Sequence, residues 1–188
     1  MAVTVFETER LAVRIAEPED ADLFLALWTD PRVMTNVGFP EGLDVTRDGI
    51  AARIAKGGDS EFERHLLVVR KADGAAIGEA CLHLPEEDGV AGTDVKLLPE
   101  HWGHHYGAEV KQGLLDHLFT HTDCTAVRGA PNVGNVASIR MQEAVGGVRV
   151  REDTYEFPDD MPVATRPVHY YLYHVTRETW EARRRGAD

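Results

Sequence analysis

Cysteine is scarce: Cys81 and Cys124 are the only two in 188 residues. Two thiols make no disulfide framework, and a reduced, cytoplasmic setting is the simpler expectation. No apolar run approaches the ~20 residues of a membrane span, and no basic-then-apolar leader opens the chain, so no membrane partner is expected. There is neither a CxxC pair nor an HExxH motif to signal zinc. Basic residues are outnumbered, 20 Lys and Arg against 32 Asp and Glu, for a net charge of -12. That balance argues against direct nucleic-acid binding. It suits an amine drawn to an acidic cleft, and equally suits solubility alone.

What is present reads as one α/β domain over residues 1–188, with ordinary hydrophobic (43%) and charged (28%) fractions. Leu11, Val13 and Ile15 alternate with Ala12, Arg14 and Ala16, a half-buried strand. Pro18 with Glu19 and Asp20 opens a helix whose apolar face is Ala21, Phe24, Leu27 and Trp28, ended by Asp30-Pro31. Residues 31–44 read as loop, and a short helix runs from Val45 to Lys56. His65–Arg70 and Ala75–Leu84 are strands joined through an Asp73-Gly74 turn. Thr93–Leu98 is the next strand, and the four are expected to run antiparallel. Thr125–Ala130, Val148–Phe157 and Val168–Val175 follow as strands. The second helix carries Ala137, Met141, Ala144 and Val145 on one face. Residues 158–167, with Pro158, Pro162 and Pro167, read as loop. Thr176 caps a closing helix that holds Trp180 and Arg183–Arg185.

The organising stretch is Asp94–Gly146. A strand closing at Val95, Leu97 and Leu98 stops at Pro99. The turn Glu100-His101-Trp102-Gly103-His104-His105-Tyr106-Gly107 follows, and from Ala108 a helix repeats Val110, Leu114 and Leu118. The first amides of a helix lack internal partners, and its dipole puts partial positive charge there. A Gly-containing turn that feeds such an end is a candidate phosphate cradle.

Three blocks then carry a resemblance. Leu98–Glu109 resembles the acetyl-CoA loop of the GNAT N-acetyltransferases. Within them it is most similar to the ribosomal-protein N-terminal acetyltransferases, whose loop reads L-x-P-E-x-W-G-K-G-Y-A/G-x-E. Asn132–Glu143 resembles the family's N-x-x-S-I-R-x-x-E helix, and Thr8–Arg14 its T-E-R-L-x-L-R opening. Order and spacing agree over residues 8–176. Two positions depart: His105 stands where the family has Gly, and Gly146-Gly147 where it prefers Gly-Phe.

The resemblance implies a mixed, mostly antiparallel sheet of six or seven strands with helices on both faces, splayed between strands four and five. It implies acetyl transfer from acetyl-CoA, without a metal, to a primary amine on a protein N-terminus, peptide or small molecule. The loop Trp102, Gly103, His104, His105, Tyr106, Gly107 and Ala108 would hold the pyrophosphate. Leu97 and Leu98 would pair with the pantetheine arm, and Asn135 would touch it, unless it is a plain cap. Ser138 matches the serine near the thiol, where it protonates the leaving sulfur or merely packs. Asp94 falls at the family's acidic strand position and is the candidate base. Glu79 is a second candidate, or an outward-facing charge. Monomer and homodimer stay open. Two alternatives remain: an acyl-CoA-binding regulatory domain without catalysis, and a zinc protein built on His101, His104, His105, Cys124 and the helical pair His117 and His121.

Overall fold

The computed structural model describes residues 2–161 and 163–186; Pro162, expected in a loop, lies outside them. The strands are β1 (Thr4–Glu7), β2 (Leu11–Ile15), β3 (Leu66–Arg70), β4 (Ala76–His83), β5 (Val90–Leu97), β6 (Ala126–Gly129), β7 (Val148–Tyr155) and β8 (Val168–Thr176). They form one sheet in the order β1-β2-β3-β4-β5-β6-β8-β7. The β5–β6 pair is parallel and the other pairs are antiparallel. Eight strands stand where six or seven are expected. The addition is β1, a short edge strand whose residues are half-buried or exposed, too weakly patterned to read from sequence.

The helices are α1 (Ala21–Thr29), α2 (Pro31–Met34), α3 (Arg47–Ala55), α4 (Tyr106–His121), α5 (Val136–Ala144) and α6 (Arg177–Arg185). Both faces of the sheet are covered, and β3 shows why its run is continuously apolar. Leu66 and Val68 pack with Val110, Leu114 and Leu118 of α4, while Leu67 joins Phe24, Leu27, Ile50 and Ile54 on the opposite face. Residues 31–44 are more structured than a plain loop. Asp30 accepts from the Arg32 amide and starts α2, and a 3-10 turn follows over Thr35–Val37. Thr176 caps α6 as expected, its hydroxyl accepting from the Thr179 amide.

The feature that makes a site is the parting of β5 from β6. Their ladder runs Val90 to Ala126, Ala91 to Val127 and Gly92 to Arg128, and stops there, while β5 continues to Leu97. Counting without β1, this is the splay between strands four and five. On its other side β5 is paired with β4 from Gly92 to Leu97, and the Leu98 amide closes that ladder on the Ile77 carbonyl. In an antiparallel ladder the direction of main-chain groups alternates. Thr93, Val95 and Leu97 therefore turn their main-chain groups into the slot, and Asp94, Lys96 and Leu98 turn theirs to β4.

Candidate active site

The slot opens into a cleft of about 590 Å³, walled by β5, the 101–108 turn, the start of α4, α5 and part of α2. Among the described residues, no hydrogen bond uses the amides of Gly103 through Ala108 as donor; the first to be engaged is that of Glu109, on the His105 carbonyl. Two left-handed residues shape this turn, Gly103 at φ +79° and His105 at φ +63°. His105 is the one non-glycine residue with positive φ among those described. The departure from Gly is thus a backbone matter: the position needs a left-handed conformation, which His tolerates better than most residues but at a cost. The residue lies at the cleft wall and is exposed.

The turn is braced from the N-terminal motif. Glu109 accepts from the Thr8 hydroxyl at 2.5 Å, the Arg10 amide at 2.8 Å and Arg10 Nε at 2.7 Å, and Arg10 Nη1 donates to the His104 carbonyl at 3.1 Å. The Arg10 guanidinium lies 4.6 Å from the Tyr106 ring centre. Thr8 and Arg10 are matched by motif in the sequence, but this bracing role appears only in three dimensions.

Most of the expected site residues converge on the cleft. Asp94, Leu97, Trp102, Gly103, His105, Tyr106, Gly107, Ala108, Asn135 and Ser138 line it; Leu98, His104 and Glu79 do not. Leu98 packs toward α1 instead. The Leu97 carbonyl is taken by the Trp102 indole at 2.9 Å, leaving its amide for the slot. Asn135 is a cap: its side-chain oxygen accepts from the Ser138 amide at 3.1 Å. The apolar face expected on α5 divides between core and cleft. Val145 is buried, whereas Ala137, Met141 and Ala144 line the cleft.

Glu79 does not face outward: it is 3% exposed. One carboxylate oxygen accepts from the Trp28 indole at 3.0 Å and lies 3.2 Å from the Lys96 ammonium; the other has no hydrogen-bond partner. His65 Nδ1 stands 3.9 Å from it. Lys96 also pairs with Asp94. Burial opposes the Lys96 ammonium, but the carboxylates of Asp94 and Glu79 outweigh it and raise its pKa. Desolvation likewise pushes the Asp94 carboxyl up, and Lys96 more than reverses this, holding it below the usual carboxylate range. Asp94 still exposes 48% of its side chain.

Sequence reading missed Lys111, which is 1% exposed, lines the cleft and donates to the Thr93 hydroxyl. The signal was there: Lys111 lies in the same helical stripe as Leu114, Leu115 and Leu118, where an apolar side chain is expected. The histidines do not assemble a metal site. His117 Nε2 is 3.0 Å from Glu61, His121 Nδ1 bonds the His117 carbonyl, and Cys124 is buried. No cluster of three or more His, Cys, Asp or Glu able to hold a metal ion occurs among the described residues. No described helix is long and apolar enough to cross a membrane.

Against known proteins, the profile of the acetyltransferase (GNAT) domain matches residues 10–148. The chain belongs to the GNAT acetyltransferase family. As a member it is an acetyl-CoA-dependent N-acyltransferase. It is similar to the uncharacterised N-acetyltransferase p20 of Bacillus licheniformis, 29% identical over 137 residues, spanning 71% of this chain and 76% of that protein. The GNAT fold recurs in an acetyltransferase from Bacillus anthracis, with TM-score 0.75 and 20% identity over 95% of this chain and 99% of the other. It recurs also in the spermidine N-acetyltransferase from Vibrio cholerae, solved with CoA and spermine, with TM-score 0.76 and 18% identity over 92% and 98%.

Proposed function

We propose that this GNAT protein moves an acetyl group from acetyl-CoA to a primary amine by direct attack in a ternary complex. The observation that carries the reading is the run of unpartnered amides from Gly103 to Ala108 at the mouth of the β5–β6 slot. A helix start with free donors suits a diphosphate, and a side chain at Gly107 would stand 3.3 Å from Met141 Sδ, where the walls already come close. The Val95 carbonyl and the Leu97 amide offer an extended arm a strand-like edge; the Val95 amide donates to Asp94 Oδ1 at 3.0 Å and the Leu97 carbonyl is held by Trp102. When bound, acetyl-CoA supplies the activated acyl group as a thioester.

The chain's own residues do the rest. The turn amides anchor the diphosphate, and Met141 and Ala137 shield the arm. Asp94, ionised and half exposed at the cleft, accepts the amine proton directly or through water. The Ser138 hydroxyl, free of partners among the described residues, is positioned on the α5 wall to return a proton to the departing sulfur. Positioning of this kind contributes up to ~7–11 kcal/mol to lowering a barrier. An α-amine, with a reference pKa near ~8, is an easier nucleophile than a lysine near ~10.4. The resemblance to N-terminal acetyltransferases points to such amines, and the likeness to a spermidine acetyltransferase keeps polyamines in the panel.

The test is release of free thiol from acetyl-CoA against peptides with free N-termini, polyamines and amino sugars. Release that depends on an amine supports the reading. Tight acetyl-CoA binding with no release for any amine would support the non-catalytic alternative.

A further inference from the structure

Lys111 is a buried cation with too few partners. Its ammonium carries three donor protons, and the Thr93 hydroxyl takes the one bond assigned to it. No carboxylate lies within ion-pair distance of it among the described residues. Asp94, the titratable neighbour that acts on it, is paired with Lys96. Desolvation brings its pKa down to about 8, against a smaller opposing pull from Asp94. Burying a charge is costly unless it is paired, so this cation is set for an anion that the folded chain does not itself provide.

Its place in the cleft says where that anion comes from. On α4, Gly107 faces the Leu97 and Met141 side chains, and Lys111, one turn on, meets Thr93. Thr93 is the first residue after the β5–β6 ladder stops. From Leu97 back to Thr93 the edge that β6 leaves unpaired runs ~13 Å at strand rise. A ligand anchored on the turn amides and extended along that edge ends at Thr93 and Lys111. Side chains alternate along β5, so Asp94 and Lys96 point to the α1 face with Glu79 and Trp28, and Thr93 points to the α4 face. The anion at Lys111 thus arrives on the donor, not the amine.

We infer that the inner end of the slot is built for an acyl chain that finishes in a carboxylate, held by the Lys111 ammonium and the Thr93 hydroxyl. The protein then takes CoA thioesters of short dicarboxylic acids besides acetyl-CoA. This rests on the acetyl-CoA reading of the cleft.

Two stable thioethers test it by calorimetry without turnover: S-(3-carboxypropyl)-CoA and S-butyl-CoA, equal in chain length and different in charge. The wild-type chain binds the carboxylate compound at least about tenfold more tightly. Lys111→Met removes that preference, and Thr93→Val reduces it. At pH 8, titration in two buffers of different ionisation heat shows uptake of a fraction of a proton with the carboxylate compound alone, and none in Lys111→Met. Equal affinities in the wild type, or a preference that survives Lys111→Met, overturn the inference while leaving acetyl transfer intact. If the methionine variant does not fold, the wild-type comparison and Thr93→Val decide it. Failure of both thioethers and of CoA itself to bind removes the cofactor reading, and this inference with it.

Discussion

The Lys96 ammonium stands 3.2 Å from the Glu79 carboxylate while also pairing with Asp94. The two acids considered as proton acceptors are therefore joined through one cation. Their environments separate their roles: Glu79 is 3% exposed and bonded to Trp28, whereas Asp94 keeps half its side chain at the cleft.

Asp94→Asn should lower kcat by about 100-fold, at the lower end of the general-base range, and change the acetyl-CoA Kd by less than about twofold. Because Lys96 holds the Asp94 carboxyl low, no limb of the wild-type pH–rate profile above about pH 5 should trace to it. Steady-state kinetics with the best amine check both points. An unchanged kcat takes Asp94 out of the chemistry.

Glu79→Gln should act chiefly on stability. It keeps an acceptor for Trp28 but leaves buried Lys96 with one carboxylate instead of two. The expected cost is about 2 kcal/mol, read as a lower urea midpoint at constant m-value. A midpoint equal to wild type would mean that the Lys96–Glu79 contact contributes nothing net.

His105→Gly should stabilise the fold by about 1 kcal/mol, since it relieves a left-handed residue of its Cβ. His105→Val should destabilise it. Urea denaturation of the two variants gives opposite shifts if the turn keeps this backbone when free of ligand.

Stability should fall as pH drops from about 7 to 5.5. Burial against the Phe24 and Trp28 rings lowers the His65 pKa despite Glu79 nearby, and desolvation lowers that of His174. A histidine with a folded pKa below its unfolded ~6.5 binds fewer protons when folded, so its contribution is complete above ~6.5 and is lost as pH falls from there through the lower folded value. The depressed acids Asp94, Glu61 and Glu109 act in the same direction but below about pH 5. Urea midpoints across the range should therefore slope, and the slope should flatten in His65→Gln.

Most local elements, though neither β1 nor α2, and the family were legible in the chain. Strand alternation, the Pro18 and Thr176 helix starts and the loop motif before α4 are written in short-range pattern, because propensity and capping act over a few residues. The turn residues and the α5 asparagine could be named as candidates because the motifs that carry the family resemblance are themselves short and contiguous. Tertiary structure alone decided what lies far apart in sequence. It brought Thr8 and Arg10 to Glu109, buried Glu79 under Trp28, and ended the β5–β6 ladder at Gly92. It also put Lys111 without an anion at the end of the resulting slot. No local pattern reports whether a charge will meet a partner a hundred residues away. That depends on which faces the sheet brings together and how far two strands stay paired.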